Sequence, residues 1–247
     1  MAPRARFSII VPAHNEEALL PRGLDAVERA ITRSGLSAEI VVVANRCTDH
    51  TESIAAARNT VVVRDRHRNI AATRNAGVAV SQGEIVVTID ADTVMHPDAL
   101  TEVDRLVRTG TYVGGGCRFV LERNSLGLVV TRFVVTSATA LSRTGGVMYW
   151  CSREDFDAIG GFDEARLVAE DLDFAYRLRR HGRATKRRFR NLRDAPATVC
   201  ARKFDTFGDW HYLTRLATAI VHPRQLRDLL RGTDPIFVDE YFFDYNV

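Results

Sequence analysis

Two aspartates that follow one apolar strand are the residues of this chain best suited to chemistry. Asp90 and Asp92 end the segment 84–93, whose β-branched residues predict a buried strand. Aspartate is uncommon within strands, so this pair at a strand end suggests a site for Mg²⁺ or Mn²⁺ completed by substrate phosphates. The alternative is that both aspartates form a turn or cap the helix that begins near Pro97.

A third carboxylate stands at the start of a predicted helix. Asp171 has the i, i+3, i+4, i+7 spacing with Phe174, Ala175 and Leu178, which places it on the apolar face. Glu170 falls on another face, which we expect to be exposed to solvent. Burial would raise the pKa of Asp171 and the helix N-terminus would lower it. An ionised Asp171 could accept a proton from a substrate hydroxyl as a general base, and helix capping is the alternative role.

The first part of the chain alternates between strands and helices. Strand patterns lie at residues 7–11, 39–44, 60–64 and 84–89. Helix patterns lie at residues 16–33, 49–57, 70–81 and 97–108. This α/β alternation predicts a single, mostly parallel, Rossmann-like sheet with helices on both faces.

Three polar clusters occupy the carboxyl ends of the predicted strands. They are residues 12–16 after the first strand, 45–49 after the second and 90–92 after the fourth. In open parallel sheets, ligands bind beyond these ends of the strands. We therefore expect the three clusters to meet in one crevice, which is a stronger indication of a site than any single motif.

Composition narrows the functional classes. With 46% hydrophobic and 26% charged residues, the chain is an ordinary globular protein, and its net charge of +3 is too small to indicate nucleic-acid binding. Nine Lys or Arg residues and no acid lie between residues 177 and 193. Such a run suits phosphates or an anionic membrane surface, or is simply a solvated face.

Cysteine spacing and hydropathy bear on location. The four cysteines form no C-x-x-C pair, which argues against a zinc site and a disulfide framework. No apolar stretch approaches the roughly 20 residues that span a bilayer, and no apolar leader precedes the first strand. We expect a cytoplasmic protein, with any membrane contact peripheral and at the inner face.

The second part of the chain breaks the alternation. A strand interrupted by glycines at 114–116 precedes a predicted amphipathic helix at 125–142, a short strand at 147–150 and a turn at 160–161. These late glycines lack the G-x-G-x-x-G fingerprint of nicotinamide enzymes, so we expect a bulge or a close backbone approach there. With no linker or repeat, we predict one domain over 1–247. Its parts would be residues 1–110, residues 111–205, and a helix with an aromatic tail (206–247).

Together these segments resemble glycosyltransferase family 2, which has the GT-A fold. The likeness extends over residues 7–182 and rests on ordered blocks of sequence. The blocks are Val11-Pro12-Ala13-His14-Asn15-Glu16, Arg74-Asn75-x-Gly77, Ser81-x-Gly83-Glu84, Asp90-Ala91-Asp92-Thr93, Gly160-Gly161-Phe162-Asp163-Glu164 and Glu170-Asp171-x-Asp173-Phe174.

The resemblance implies transfer of a sugar from a UDP- or GDP-sugar to an acceptor hydroxyl, with inversion at the anomeric carbon. It implies that Asp171 is the base and that Asp92 binds a divalent cation, Mn²⁺ or Mg²⁺, that bridges the diphosphate. Glu170 and Trp150 are expected on the acceptor side, and Arg74 beside the donor phosphates or ribose. The residues implied in donor binding are Pro12, Ala13, His14, Asn15, Glu16, Asn45, Arg74, Asp90, Ala91 and Asp92.

Two departures from the family pattern affect these expectations. The family usually has two aspartates at the end of the second strand, where this chain has Ala44 and Asn45. Asn45 can still hydrogen-bond a base, with a weaker preference for uridine. The Q-x-x-R-W block of processive synthases is missing, which favours a single addition. In that region Arg202 and His211 are candidate contacts to the diphosphate or the metal, with packing an equal alternative for His211.

One other function stays open on the sequence, and a second is disfavoured. One is a homologue that binds the nucleotide-sugar but turns it over weakly, acting as a binding or scaffold partner. The other, a sugar nucleotidyltransferase, would need a basic Gly-rich loop after the first strand, and none is present. The acidic, aromatic tail at 236–245 would pack on its own domain, cover the cleft or join two subunits as a homodimer.

Overall fold

The computed structural model describes residues 4–123, 125, 127, 130, 147–167, 169–200, 202 and 208–210. The predicted alternation is confirmed in the first part of the chain. The strands there are β1 (Phe7–Ala13), β2 (Ala38–Asn45), β3 (Val61–Asp65) and β4 (Ile85–Ile89). The helices that follow the first three strands are α1 (Leu20–Ser34), α2 (Thr51–Ala56) and α3 (Ile70–Val80).

Helix α1 begins later than its sequence pattern suggests. The backbone N–H groups of Leu19 and Leu20 both donate to the carbonyl of Glu16, at 3.1 and 2.8 Å, which makes a turn before the helix. A proline lies in the first turn of α1, where its missing N–H costs no hydrogen bond. Residues 16–19 therefore belong to the loop after β1, where they are available to a site.

The second part of the described chain carries elements of uneven length, from two-residue strands to a 15-residue helix. They are β5 (Thr93–Val94), α4 (Ala99–Arg108), β6 (Tyr112–Leu121), β7 (Met148–Ser152), α5 (Arg153–Ala158), α6 (Glu170–Ala184), β8 (Arg188–Phe189) and β9 (Leu192–Val199). The sequence analysis did not anticipate α5, β8 or β9. The helix predicted at 125–142 and the tail after residue 206 fall outside the described residues, apart from a few single positions.

The described strands form one continuous sheet in the order β3-β2-β1-β4-β7-β6-β9-β5, with β8 paired to β6. Strands β1 to β4 pair in parallel, which brings their carboxyl ends to one edge. Strand β7 runs antiparallel between β4 and β6. The predicted fold class, a mostly parallel GT-A type sheet flanked by helices, is confirmed.

Apolar side chains cover both faces of the sheet, as the buried strands require. One core contains Phe7, Ile9 and Leu24, together with residues of α1 and α4. The other contains Ile10, Phe174 and residues of α3 and α6. Alternate residues of β1 enter opposite cores, so the strands are held rigidly and their carboxyl ends have fixed positions.

The glycines of β6 allow two backbones to approach closely. A Cβ at Gly115 would lie 1.7 Å from the carbonyl oxygen of Arg190, far inside contact distance. The pairing of β6 with β8 also shifts register between Tyr112 and Gly114. The predicted bulge or close approach at residues 114–116 is confirmed.

Candidate active site

The loops after β1 and β2 are joined by hydrogen bonds. His14 Nδ1 lies 2.7 Å from the carbonyl oxygen of Asn45. The backbone N–H of Thr48 donates to Asn15 Oδ1 at 2.8 Å, and Asn15 Nδ2 donates back to Thr48 Oγ1 at 3.1 Å. The N–H of Glu16 donates to Thr51 Oγ1 at 2.7 Å. Two of the three predicted clusters therefore come together.

Three of the predicted donor-binding residues are apolar and have buried side chains. Pro12 and Ala13 end β1, and Ala91 lies between Asp90 and Asp92 after β4. Only main-chain atoms of these three residues could face a ligand. Of the predicted donor-binding residues in the loop after β1, His14 and Asn15 keep partial exposure, whereas Glu16 is buried.

Asn45 is buried and serves a carboxylate that the sequence analysis missed. Its Nδ2 donates to Asp65 Oδ2 at 2.6 Å and to the carbonyl of His67 at 2.8 Å. Asp65 also accepts from Thr73 Oγ1 at 2.7 Å. Although burial opposes it, these hydrogen bonds hold the pKa of Asp65 below its ordinary value. The register of the two strands could have revealed this contact, because Asn45 of β2 lies opposite Asp65 of β3.

Arg74 connects the end of β4 to the start of α6. Its guanidinium donates to Asp90 Oδ1 at 2.8 Å and to Glu170 Oε1. The Arg74 side chain is only 9% exposed, and its Cζ lies 5.3 Å from the centre of the Phe162 ring. Burial opposes the charge, yet the carboxylates of Asp90, Glu170 and Asp171 raise the pKa of Arg74. A single cation thus holds both sides of the site together.

The position of Glu170 corrects the sequence interpretation. We expected a solvent-facing side chain, but Glu170 is 5% exposed and paired with Arg74. The physical reason is that the buried guanidinium of Arg74 requires a counter-charge, and Glu170 supplies it from the first turn of α6. The helical spacing of apolar residues shows which face of a helix is buried, but it cannot reveal an ion pair with a residue as distant in sequence as Arg74.

Asp171 is partly buried beside this ion pair. Its Oδ1 accepts the N–H of Leu172 at 2.8 Å. Burial, followed by the negative charge of Glu170, raises the pKa of Asp171 to about 7, against the opposing effect of Arg74. Ala169, just before the helix, has a left-handed φ of 58°, a conformation that costs energy for a residue with a Cβ. The helix therefore begins with a carboxylate poised to exchange a proton near neutral pH.

Trp150 does not lie on an acceptor surface. It is 1% exposed, and its ring packs over Gly115 inside the core. Its neighbour Tyr149 points to the opposite face of β7, where its ring meets Phe174 edge to face at 6.0 Å. Burial and the charge of Asp171 raise the pKa of Tyr149, which places this phenol near the carboxylates. A shift of one residue along a strand exchanges the two faces, so Tyr149 and not Trp150 lies on the Asp171 side of β7.

Asp92 lies where β5 meets β9. Thr93 pairs with Val199, which brings residues 200 and 202 next to the strand-end loops. Arg202 donates to both carboxylate oxygens of Glu16, at 2.8 and 2.9 Å. Burial raises the pKa of the Cys200 thiol, and the nearby carboxylate of Asp92 adds to the effect. The structure thus brings Arg202 to the same edge as Asp92, whereas His211 falls outside the described residues.

The carboxylates fit a metal that is completed by its substrate. Among the described residues, no group of three or more His, Cys, Asp or Glu side chains could hold an ion without help. Asp92 is partly exposed, and the Asp90 side chain is 42% exposed although Arg74 holds one of its oxygens. Hard carboxylate oxygens in this small number suit Mg²⁺ or Mn²⁺ bound together with phosphates.

Comparisons with known sequences agree with this geometry. A model described as glycosyl transferase family 2 matches residues 8–136, more than half of the chain. A second, described as glycosyl transferase family group 2, matches residues 85–215. An undecaprenyl-phosphate 4-deoxy-4-formamido-L-arabinose transferase of Pseudomonas aeruginosa is 35% identical over 107 residues, 40% of this chain and 31% of that protein. The chain thus spans about a third of the length of this relative.

Solved structures share the fold. One is a mannosyltransferase of Pyrobaculum calidifontis in complex with GDP-Man and Mn²⁺, with a TM-score of 0.65 and 22% identity. The match covers 97% of this chain and 71% of the mannosyltransferase chain. Another is S. aureus TarS in complex with UDP-GlcNAc, with a TM-score of 0.60 and 17% identity, and the match covers 79% of this chain and 58% of the TarS chain. In the described part of this chain, no helix is long and apolar enough to span a membrane.

Proposed function

Because the chain belongs to glycosyl transferase family 2, we propose that it transfers a sugar from a nucleoside-diphosphate-sugar to an acceptor hydroxyl, with inversion. The observation that carries the proposal is the series of contacts from Asp90 through Arg74 to Glu170. These contacts fix the start of α6, and with it Asp171, next to the strand-end carboxylates. A donor bound at the strand ends would then have a base on its acceptor side.

Asp171 is the proposed general base. The acceptor hydroxyl gives its proton to the Asp171 carboxylate while its oxygen forms a bond to the anomeric carbon. The bond from that carbon to the diphosphate oxygen breaks, and the leaving diphosphate keeps the electron pair. A single displacement of this kind inverts the anomeric carbon. A base pKa of about 7 matches a reaction near neutral pH, where the carboxylate is available and still basic.

The donor side is assigned to the strand-end loops. Asp92, with Asp90 beside it, would hold Mn²⁺ or Mg²⁺, which stabilises negative charge on the leaving diphosphate. Arg74 would act by orienting Asp90 and Glu170, since its guanidinium is buried between them. The loops that carry His14 and Asn45 would hold the nucleoside. UDP- and GDP-sugars are both candidates, because structural neighbours bind one or the other.

Each encounter with an acceptor would add one sugar, and the protein would act in the cytoplasm or at the inner face of the membrane. A homodimer through the tail after residue 206 stays a prediction, since only 208–210 of that segment belong to the described residues.

Calorimetry with UDP-, GDP- and dTDP-sugars, with Mn²⁺ and then with EDTA, tests the donor assignment. We expect one nucleoside class to bind clearly more tightly than the others, and only with the cation. Release of nucleoside diphosphate should then be measured with a panel of hydroxyl acceptors and, separately, with polyprenyl phosphates, and Asp171→Asn is the matched control for the hydroxyl acceptors. Tight donor binding without release for any acceptor would favour the binding or scaffold role. Absence of binding to every donor would overturn the proposal.

A further inference from the structure

The outer face of helix α6 carries exposed apolar and basic side chains. Leu172 and Tyr176 are 39% and 60% exposed, although both are large hydrophobic residues. Arg180 and Arg183 are exposed as well. The spacing i, i+4, i+8, i+11 places all four on one side of the helix, opposite Phe174 and Leu178 in the core. With Lys186 in the turn that follows, these residues form what we call the outer stripe.

Eight of the nine cations in the basic run at 177–193 fall into two groups in the structure. Three arginines are engaged: Arg177 binds Asp173, Arg187 binds Asp155, and Arg190 lies over the Tyr112 ring. Five other cations of the run are exposed, and their side chains form no hydrogen bond or ion pair with another residue of the described chain. They are Arg180, Arg183, Lys186, Arg188 and Arg193. The first three belong to the outer stripe.

Folding does not account for this second group. Unpaired cations close together repel each other, and exposed leucine and tyrosine side chains contribute little to a core. The opposite face of α6 already supplies the packing, through Phe174, Ala175 and Leu178, which are fully buried. The outer stripe is therefore a surface whose composition suits an external partner.

We propose that the outer stripe binds the surface of an anionic lipid bilayer. Lys and Arg at such a surface are attracted to acidic headgroups, while Leu and Tyr enter the interfacial region. The stripe combines both kinds of side chain on one helix face over about 16 Å, at 1.5 Å per residue. A purely electrostatic partner such as nucleic acid would not need the leucine, and the small net charge of +3 gives it no general support.

The outer stripe begins next to the candidate active site. Leu172 directly follows Asp171, so a bilayer on the outer stripe would lie next to the start of α6. A lipid-anchored hydroxyl or phosphate would then meet the site without leaving the membrane surface. The binding itself does not rest on the proposed transfer reaction and can be measured with no donor or acceptor present.

Vesicle flotation with the full chain tests the proposal. We expect co-flotation with phosphatidylcholine vesicles that contain phosphatidylglycerol, no co-flotation with phosphatidylcholine alone, and loss of binding in high salt. The triple variant Arg180→Gln, Arg183→Gln, Lys186→Gln should bind on the order of 100-fold more weakly, from roughly 5-fold for each cation. Tyr176→Ala should weaken the binding that persists in moderate salt.

A matched triple variant controls for net charge. Arg29, Arg66 and Arg118 are exposed cations outside the stripe, and changing all three to Gln removes the same charge. We expect this variant to bind vesicles nearly as the natural chain does, and circular dichroism should show that every variant is folded. Equal losses in the two triple variants, binding to neutral vesicles, or no vesicle binding at all would each overturn the proposal. In the last case an acidic protein or a second copy of the chain would be the occupant to examine.

Discussion

Two carboxylates in this protein, each within a cluster of polar side chains, have pKa values that are shifted in opposite directions. At the end of β3, Asp65 accepts hydrogen bonds from Asn45 and Thr73, and these keep its pKa low despite burial. At the start of α6, Asp171 accepts the N–H of the next residue and lies beside Glu170, so its pKa is raised. The Asp65 carboxylate thus accepts hydrogen bonds from neighbouring side chains. Asp171 instead shares the positive charge of Arg74 with the nearby carboxylates.

The difference indicates different roles. A carboxylate with a lowered pKa keeps its charge through the neutral range and is a poor proton acceptor there. A carboxylate with a raised pKa can take up and release a proton near neutral pH, which is what catalysis requires. This contrast supports the proposal that the Asp65 cluster holds the loop after β2 and that Asp171 is the base.

The largest expected effect is on turnover. Asp171→Asn should lower kcat by roughly 10²–10⁴-fold, the usual contribution of a general base, because the amide cannot accept the proton. Donor affinity should change little, since Asp171 acts on the acceptor. The measurement is the rate of nucleoside diphosphate release alongside calorimetry. The control is Asp173→Asn, the same change two residues further along α6, and near-normal turnover of Asp171→Asn would refute the assignment.

The next effect is on donor binding. Asp92→Ala should weaken binding of the nucleoside diphosphate about tenfold or more in Mn²⁺, and EDTA should then have no further effect. The control is Asp98→Ala, an exposed aspartate paired with Arg33, which should leave the cation dependence intact. Calorimetry with and without cation measures both. If the natural chain binds equally in Mn²⁺ and in EDTA, Asp92 has no metal role.

A smaller effect concerns stability in the Asp65 cluster. Asn45→Asp would replace the 2.6 Å hydrogen bond to Asp65 with two facing carboxylates, at a cost of about 1–3 kcal/mol in free energy of unfolding. The pair can hold one proton at low pH, so its carboxyl pKa is raised and the loss grows as pH rises above about 4. Denaturation at pH 5 and pH 8 measures this. Asn45→Ala removes the hydrogen bond without adding charge and should show a loss that depends much less on pH; the same pH dependence in both variants would contradict this account.

The sequence was sufficient for the strand–helix alternation and for the approach of the loops after β1 and β2, because both follow from local periodicity and sheet topology. It was insufficient for Glu170, whose partner Arg74 lies 96 residues away in the chain. It also misjudged Trp150, because β7 is covered on both faces and alternation does not distinguish Trp150 from Tyr149. Asp65 was missed for a related reason, since its role depends on the register with β2.

The most direct test of the central claim is a carbon NMR titration of the Asp171 carboxyl group, identified as the resonance lost in Asp171→Asn. The account predicts a pKa of about 7 in the natural chain. In Glu170→Gln the pKa should be lower, because a negative neighbour is removed and Arg74 is left to favour the ionised form. A resonance that titrates near the ordinary aspartate value of about 4 in both proteins would contradict the account.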